Sequence, residues 1–461
     1  MATPARAWET AIALNRFGLG ARGDEAAPDD PRTWLAEQLT KFEARPPAFD
    51  AARLTTDIFQ EYSEAQAGIR DADPSARMEM RKALRQRGNA LYRDEVTMRV
   101  VAALTSQAPF VERMVHFWSN HFAVSADKPQ VTLLAGAFER EAIRPHVLGR
   151  FEDMLVAVEQ HPAMQFYLDQ IRSIGPNSRR AVMAEKNGRK PGVNENLARE
   201  ILELHTLGVR TGYTQQDVTQ FALALSGWTV DGLGEGRDAG NPGSFRFRPR
   251  LHEPGPRTIM GRTYSQQGEG QVRAVLRDLA KSDATATHVA TKLARHFIAD
   301  DPPGGAVERL KRAYLESDGD LKLLCRTLFD LPEAWTPEAA KFKTPWEWTI
   351  SALRALGRRD AGKPQPVGIL TQLGQPVWRP RQPSGYDDVA AGWAAPDALV
   401  RRVEVAQSLA RKAADGIDAR KLGPELLPGT LSEATRAEVS RAESPATALA
   451  LLLVSPDFLR R

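Results

Sequence analysis

The sequence predicts a mainly α protein, a multi-helix array carrying one small β-hairpin insertion, and three observations predict it. Apolar residues recur at helical spacing through most of the 461 residues. Helix starts are marked repeatedly by Ser, Thr, Asp or Asn, often with Pro at the first helical position. Only residues 232–262 change character, to Gly and Pro clusters around an alternating Phe-Arg-Phe.

Taken in order, "DDPRTWLAEQLTKF" has Asp30 as N-cap and Pro31 as first helical residue, with Trp34, Leu35, Gln38 and Leu39 on one face. "SARMEMRKALRQRGNALYRDEVTMRVVAALTS" reads as one or two long helices, with Val101 and Leu104 in the buried stripe. "RMVHFWSNHFAVS" at 113–125 continues the helical spacing. Phe151 to Val158 is a further helix and "HPAMQFYLDQ" starts another. Residues 175–192 form a basic loop punctuated by Gly and Pro. Asn194 caps a helix that ends at Gly208, and Thr214 with Asp217 resembles a capping box for the next. After the insertion, helices resume at "ATHVATKLARHFI", "VERLKRAYLE", "LKLLCRTLFD" and "TPWEWTISALRALG"; a Pro-rich loop at 373–386 precedes another helix. The chain is expected to pack as one extended unit over 1–461, with 232–262 as its insertion.

Composition narrows the function. With 62 basic and 58 acidic residues the formal charge is +4 and no polybasic block is present, so nucleic acid is not an expected partner. The single cysteine, Cys325, admits neither an internal disulfide nor a cysteine-based zinc site. The first 22 residues lack the pattern of a signal peptide, and the longest apolar run, near 448–454, falls far short of the roughly 20 residues of a transmembrane helix. A cytoplasmic location is the expectation for the chain as written. Phosphate-loop, dinucleotide, nucleophile-elbow and His-Glu-x-x-His signatures are missing, and "GLGEGRDAG" at 232–240 reads as a flexible loop.

Two helices carry the chemistry. On a helical wheel Glu112, His116, Ser119 and Asn120 share one stripe, whereas Met114, Phe117, Trp118 and His121 share the opposite, apolar one. His116 therefore reads either as an imidazole oriented by Glu112 or as an ordinary hydrogen-bonded histidine, and His121 as a satisfied core histidine. In "NENLAREILELHTLG", Asn196, Glu200 and Glu203 share a face that His205 does not. If that face packs on the Glu112, His116, Asn120 stripe, the two make an interhelical cluster. Two functions stay open for it. One is metal-assisted hydrolysis, with a divalent metal on His116, Glu200 and Glu203, Asn196 and Asn120 beside them, and Asp169 joining from a third helix. The other is a buried polar network whose carboxylates are paired by arginine, from among Arg113, Arg199 and Arg210. His288, Lys292 and His296 make a basic line on one helix, read as a surface anion patch or a solvated face; Trp346 and Trp348 read as core or docking surface.

Several motifs succeed one another in a recognisable order: "LNRFGLG" at 14–20, "RMVHFWSNHFAV" at 113–124, "HPAMQFYLD" at 161–169, "NENLAREILELHTLGV" at 194–209, "FKTPWEW" at 342–348, "LGQPVWRP" at 373–380 and "VSPDF" at 454–458. Together they resemble the bacterial domain-of-unknown-function family 1800 over nearly the whole chain. The resemblance implies no activity. It implies an exported protein working with a sulfatase-like partner, so a non-enzymatic binding or assembly role, using the loops at 175–192 and 373–386, stands beside the enzymatic one. Local departures from the family pattern are Glu253, Arg257, Gln382 and Tyr386, where the resemblance implies Asp, Lys, Asn and Trp.

Overall fold

Local capping chemistry sets the helix starts. In the computed structural model, which describes residues 4–232, 240–362 and 365–461, Asp30 accepts from the amides of Arg32 and Thr33 ahead of the helix Pro31–Lys41. Asp73 accepts likewise from Ser75 and Ala76 ahead of Pro74–Thr105, a single 32-residue helix where the sequence allowed one or two. Thr214 and Asp217 close a reciprocal capping box, and Thr344 and Glu347 close a second at the start of Pro345–Ala355.

The described array is mainly helical, with two antiparallel two-stranded ladders and two isolated bridges, Arg150 with Asp320 and Phe342 with Arg460. Trp228–Val230 pairs with Phe245–Phe247, and Arg257–Ile259 with Arg262–Tyr264. The insertion thus begins at Trp228, before the position expected for it, because Trp228, Thr229 and Val230 are all buried as a strand directly after the helix Gln215–Leu225. It also holds two ladders in place of one hairpin. Of the glycine-rich loop at 232–240, residues 233–239 lie outside the described residues.

One connected apolar cluster runs from Ile12 to Phe458 and takes in residues of both halves of the chain. Its centre is aromatic: Phe17 lies 5.1–6.2 Å, centroid to centroid, from Phe110, Phe297, Phe329 and Trp335. Cys325 is buried in this cluster, and Trp348 is fully buried with Trp346 nearly so, which makes both tryptophans core.

Three stretches are π-helical, Ala13–Phe17, Glu139–Ile143 and Ile201–His205. Each inserts a residue into the regular turn and rotates the side chains beyond it about the helix axis. None of the described helices is long and apolar enough to cross a membrane.

Candidate functional site: a cavity between facing helices

A cavity of about 340 Å³ opens between the helices Pro109–His121, Asp283–Phe297 and Pro345–Ala355 and the loop around 375–389. Four of the sequence motifs contribute to its walls: "LNRFGLG" supplies Leu19, and "RMVHFWSNHFAV" supplies Arg113, His116, Phe117, Ser119, Asn120, His121, Ala123 and Val124. "FKTPWEW" supplies Thr344, Trp346 and Glu347, and "LGQPVWRP" supplies Gln375, Val377, Trp378 and Pro380.

The stripe read on the 109–121 helix does face other elements. Glu112 is fully buried and bound by two nitrogens of Arg144, at 2.7 and 2.9 Å. Burial alone would raise its carboxyl, but Arg144 and His116 outweigh that and hold it far below the carboxylate range. His116 accepts a hydrogen bond from the Trp346 indole N–H at Nδ1 (3.1 Å), and its Nε2 lies 3.6 Å from Glu112. Burial, helped by Arg99, pushes His116 down to about 4, so it is neutral with its bare nitrogen already engaged. Asn120 clamps the cavity mouth. Its side-chain amide donates to the Tyr386 carbonyl at 2.9 Å and its Oδ1 accepts from the Tyr386 amide at 2.7 Å. The adjoining Gly385 has φ +82, and a Cβ there would sit 2.4 Å from the Asn120 carbonyl, so only glycine fits.

The second stripe is elsewhere. Glu200 and Glu203 take no part in lining the cavity, and among the described residues no group of three or more His, Cys, Asp or Glu side chains is disposed to hold a metal ion. His116, Glu200 and Glu203 therefore form no ligand set. The helix Asn196–Glu200 packs on Gln215–Leu225, and the π-turn Ile201–His205 then breaks the regular wheel between Glu200 and Glu203. Glu203 pairs with Arg199 at 3.7 Å, itself within 3.4 Å of Glu195. Half-buried Glu200 has its carboxyl raised by burial. Asn196 is exposed. Asp169, left-handed at φ 56, accepts from Lys128 at 2.8 Å. What that region does join to the 109–121 helix is His121, whose Nε2–H donates to the His205 carbonyl at 3.1 Å; His205 Nδ1 in turn donates to buried Glu159 at 2.7 Å.

The cavity's walls also carry charged residues that the sequence reading does not single out as a site. Glu347 is held by Arg113 and by Arg461, the latter at 2.6 Å, and Arg99 by Glu139 at 2.8 Å. Burial raises the Glu347 carboxyl, yet Arg461 and Arg113 keep it well below its ordinary value. The line His288, Lys292, His296 is neither a surface patch nor a solvated face. Lys292 and His296 line the cavity, and the His288 ring donates from Nε2 to the Leu204 carbonyl, at 3.1 Å. His296 Nδ1 is 2.8 Å from Asp388, and its Nε2 has no hydrogen-bond partner among the described residues, 4.0 Å from Glu347. Asp388 also lies 3.7 Å from Lys341. The signal present in the sequence is the repeat of basic side chains at positions 288, 292 and 296, one turn apart; nothing local tells that this face is turned inward.

A family model described as a protein of unknown function, DUF1800, matches residues 12–460. The chain belongs to the DUF1800 family. Among curated proteins and solved structures, nothing matches it. In this DUF1800 chain the matched span takes in all the residues that line the cavity.

Proposed function

We propose that this protein is a hydrolytic enzyme whose active site is the cavity, with His296 as general base. The observation that carries this reading is the His296–Asp388 pair. With Nδ1–H donating to Asp388 at 2.8 Å, the lone pair resides on Nε2, a buried atom with no partner among the described residues. Burial is the largest influence on His296 and lowers it, assisted by Arg461 and opposed by Asp388, which supports a neutral ring at pH 7. When Nε2 takes a proton from an attacking water, the imidazolium sits between Asp388 on one side and Glu347, 4.0 Å from Nε2, on the other. Both carboxylates favour that charge. His296 thus takes the role the sequence suggested for His116, whose nitrogen is engaged by Trp346.

The test is a hydrolase panel of chromogenic carboxylic, phosphate and sulfate esters, run with wild type and His296→Gln. The expected result is turnover of one class, reduced by about 10²–10⁴-fold in the variant, with Asp388→Asn lowering kcat and sparing KM. No turnover of any class, or equal rates in wild type and His296→Gln, would overturn the reading.

A second reading, docking to a partner protein such as the sulfatase-like one, draws support from the segment 175–192. Arg179, Arg180, Lys186, Arg189 and Lys190 are exposed there beside Val182 and Met183, and among the described residues their side chains have no ion pair. Co-purification that is lost on replacing these basic residues, and kept in His296→Gln, would favour it.

A further inference from the structure

We infer that the cavity holds the oxyanion end of its ligand between Lys292 and Arg295, which stand one turn apart on the helix Asp283–Phe297. This rests on reading the cavity as the active site and adds the class of substrate: an organic molecule bearing a carboxylate, phosphate or sulfate group.

Most charges in the cavity wall already have partners. Arg99 is bound to Glu139 and Arg113 to Glu347. Among the lining carboxylates, Glu347 is held by two arginines and Asp388 by His296 and Lys341. Asp387, the third, is exposed at the mouth. Lys292 has neither a hydrogen bond nor an ion pair among the described residues. Arg295 donates only from Nε, to the Asp300 carbonyl at 3.1 Å, which leaves its terminal nitrogens without an acceptor among the described residues.

Both heads border the cavity, partly open to solvent and with no side-chain acceptor among the described residues, so an anion that enters meets two unmatched cations. Spacing of three residues on a helix brings the two heads to the same side, and an ammonium beside a guanidinium fork suits a two- or three-oxygen anion. Burial pushes Lys292 down to about 8, with Asp388 opposing and Arg295 adding to the effect, which leaves the ammonium as the main form at pH 7. Phe117, Trp346 and Trp378 line the same space and give the remainder of the ligand an apolar surface.

The experiment is calorimetric titration of the full chain with inorganic phosphate, sulfate and benzoate at constant ionic strength. The three probes separate the oxyanion types. At least one is expected to bind saturably to wild type, to bind about tenfold or more weakly to Lys292→Met and Arg295→Met, and to bind within a few-fold of wild type in Lys292→Arg and His296→Gln. Mass-spectrometric mapping of reductive methylation on the wild-type protein, with and without the binding probe, gives a readout independent of variant folding: the probe should protect Lys292. Absence of saturable binding by all three probes, undiminished binding in Lys292→Met, or unprotected methylation of Lys292 would overturn the inference. Saturable binding without turnover of any ester would overturn the hydrolytic reading and leave the anion site standing; turnover without binding would do the reverse.

Discussion

The helices Pro109–His121 and Asp283–Phe297 face one cavity and treat their charges in opposite ways. On the first, Glu112 is matched by Arg144, Arg113 by Glu347, and His116 by Trp346. On the second, Lys292 has no partner among the described residues and Arg295 only a backbone carbonyl on one nitrogen. The difference separates two uses of buried polarity. A charge whose partner comes from the same chain specifies how helices pack, and removing either partner strands the other. A charge without a hydrogen bond or ion pair from the chain contributes little to packing and is open to a partner that comes from outside.

The contrast breaks most visibly at Arg144. Arg144→Met leaves Glu112 charged, fully buried and with only a neutral imidazole nearby, and should cost about 3–5 kcal/mol in denaturant unfolding. A loss under about 1 kcal/mol would mean that the first helix is not held by its pairs.

Acid comes next. His116 and His288 are both held at about 4 against an ordinary value of 6.5, by burial first, then by Arg99 and Lys292 respectively. Between those values the unfolded chain binds the protons and the folded one does not, so stability is intact above pH 6.5 and declines as pH falls toward 4. Glu112 and Glu347, whose carboxyls are held low, extend the loss below the ordinary carboxylate value of 4.5. A melting temperature that stays flat from pH 6.5 to 4 would contradict the buried, neutral imidazoles.

Trp346→Phe keeps the ring that stacks under Arg99, centroid distance 4.2 Å, but removes the N–H that satisfies His116. An unpaired buried acceptor is worth about 1–3 kcal/mol, read in the same unfolding assay.

Lys292→Met should have the smallest effect on the free protein, close to wild-type stability, because it deletes a partly exposed charge with no hydrogen bond or ion pair among the described residues. In wild type the sign can be checked by titration. Lys292 is lowered from 10.5 to about 8, so between these values the unfolded chain holds the extra proton and its contribution to stability rises with pH. A variant that unfolds as readily as Arg144→Met would erase the contrast between the two helices.

These contrasts also explain how much the amino-acid order discloses. Helix starts depend on side chains two or three residues away, so Asp30, Thr214 and Asp217 announce their caps. The stripe Glu112, His116, Asn120 comes from helical geometry alone, and it is buried against other elements. Its partners cannot be read the same way. Arg144, Trp346 and Tyr386 are 32, 230 and 266 residues away, and no local signal links them. Glu200 and Glu203 look like companions of that stripe on the wheel, but their helix packs on Gln215–Leu225, and neither that partner nor the π-turn between the two glutamates is written locally. Lys292 and His296 are visible as a line, but charged residues lie outside by default, and only the surrounding fold turns this line inward.

The Asn120–Tyr386 clamp has a bearing on how the molecule is made. It closes a loop of 266 residues, and the Arg113–Glu347 pair closes one of 234. Loop closure of that span is entropically unfavourable until most of the intervening helices have condensed. Helical hairpins need only neighbouring segments, whereas the cavity needs segments from Leu19 to Val389 brought together. A chain cut between residues 121 and 345 separates the two sides of both contacts, so neither piece alone can form this cavity.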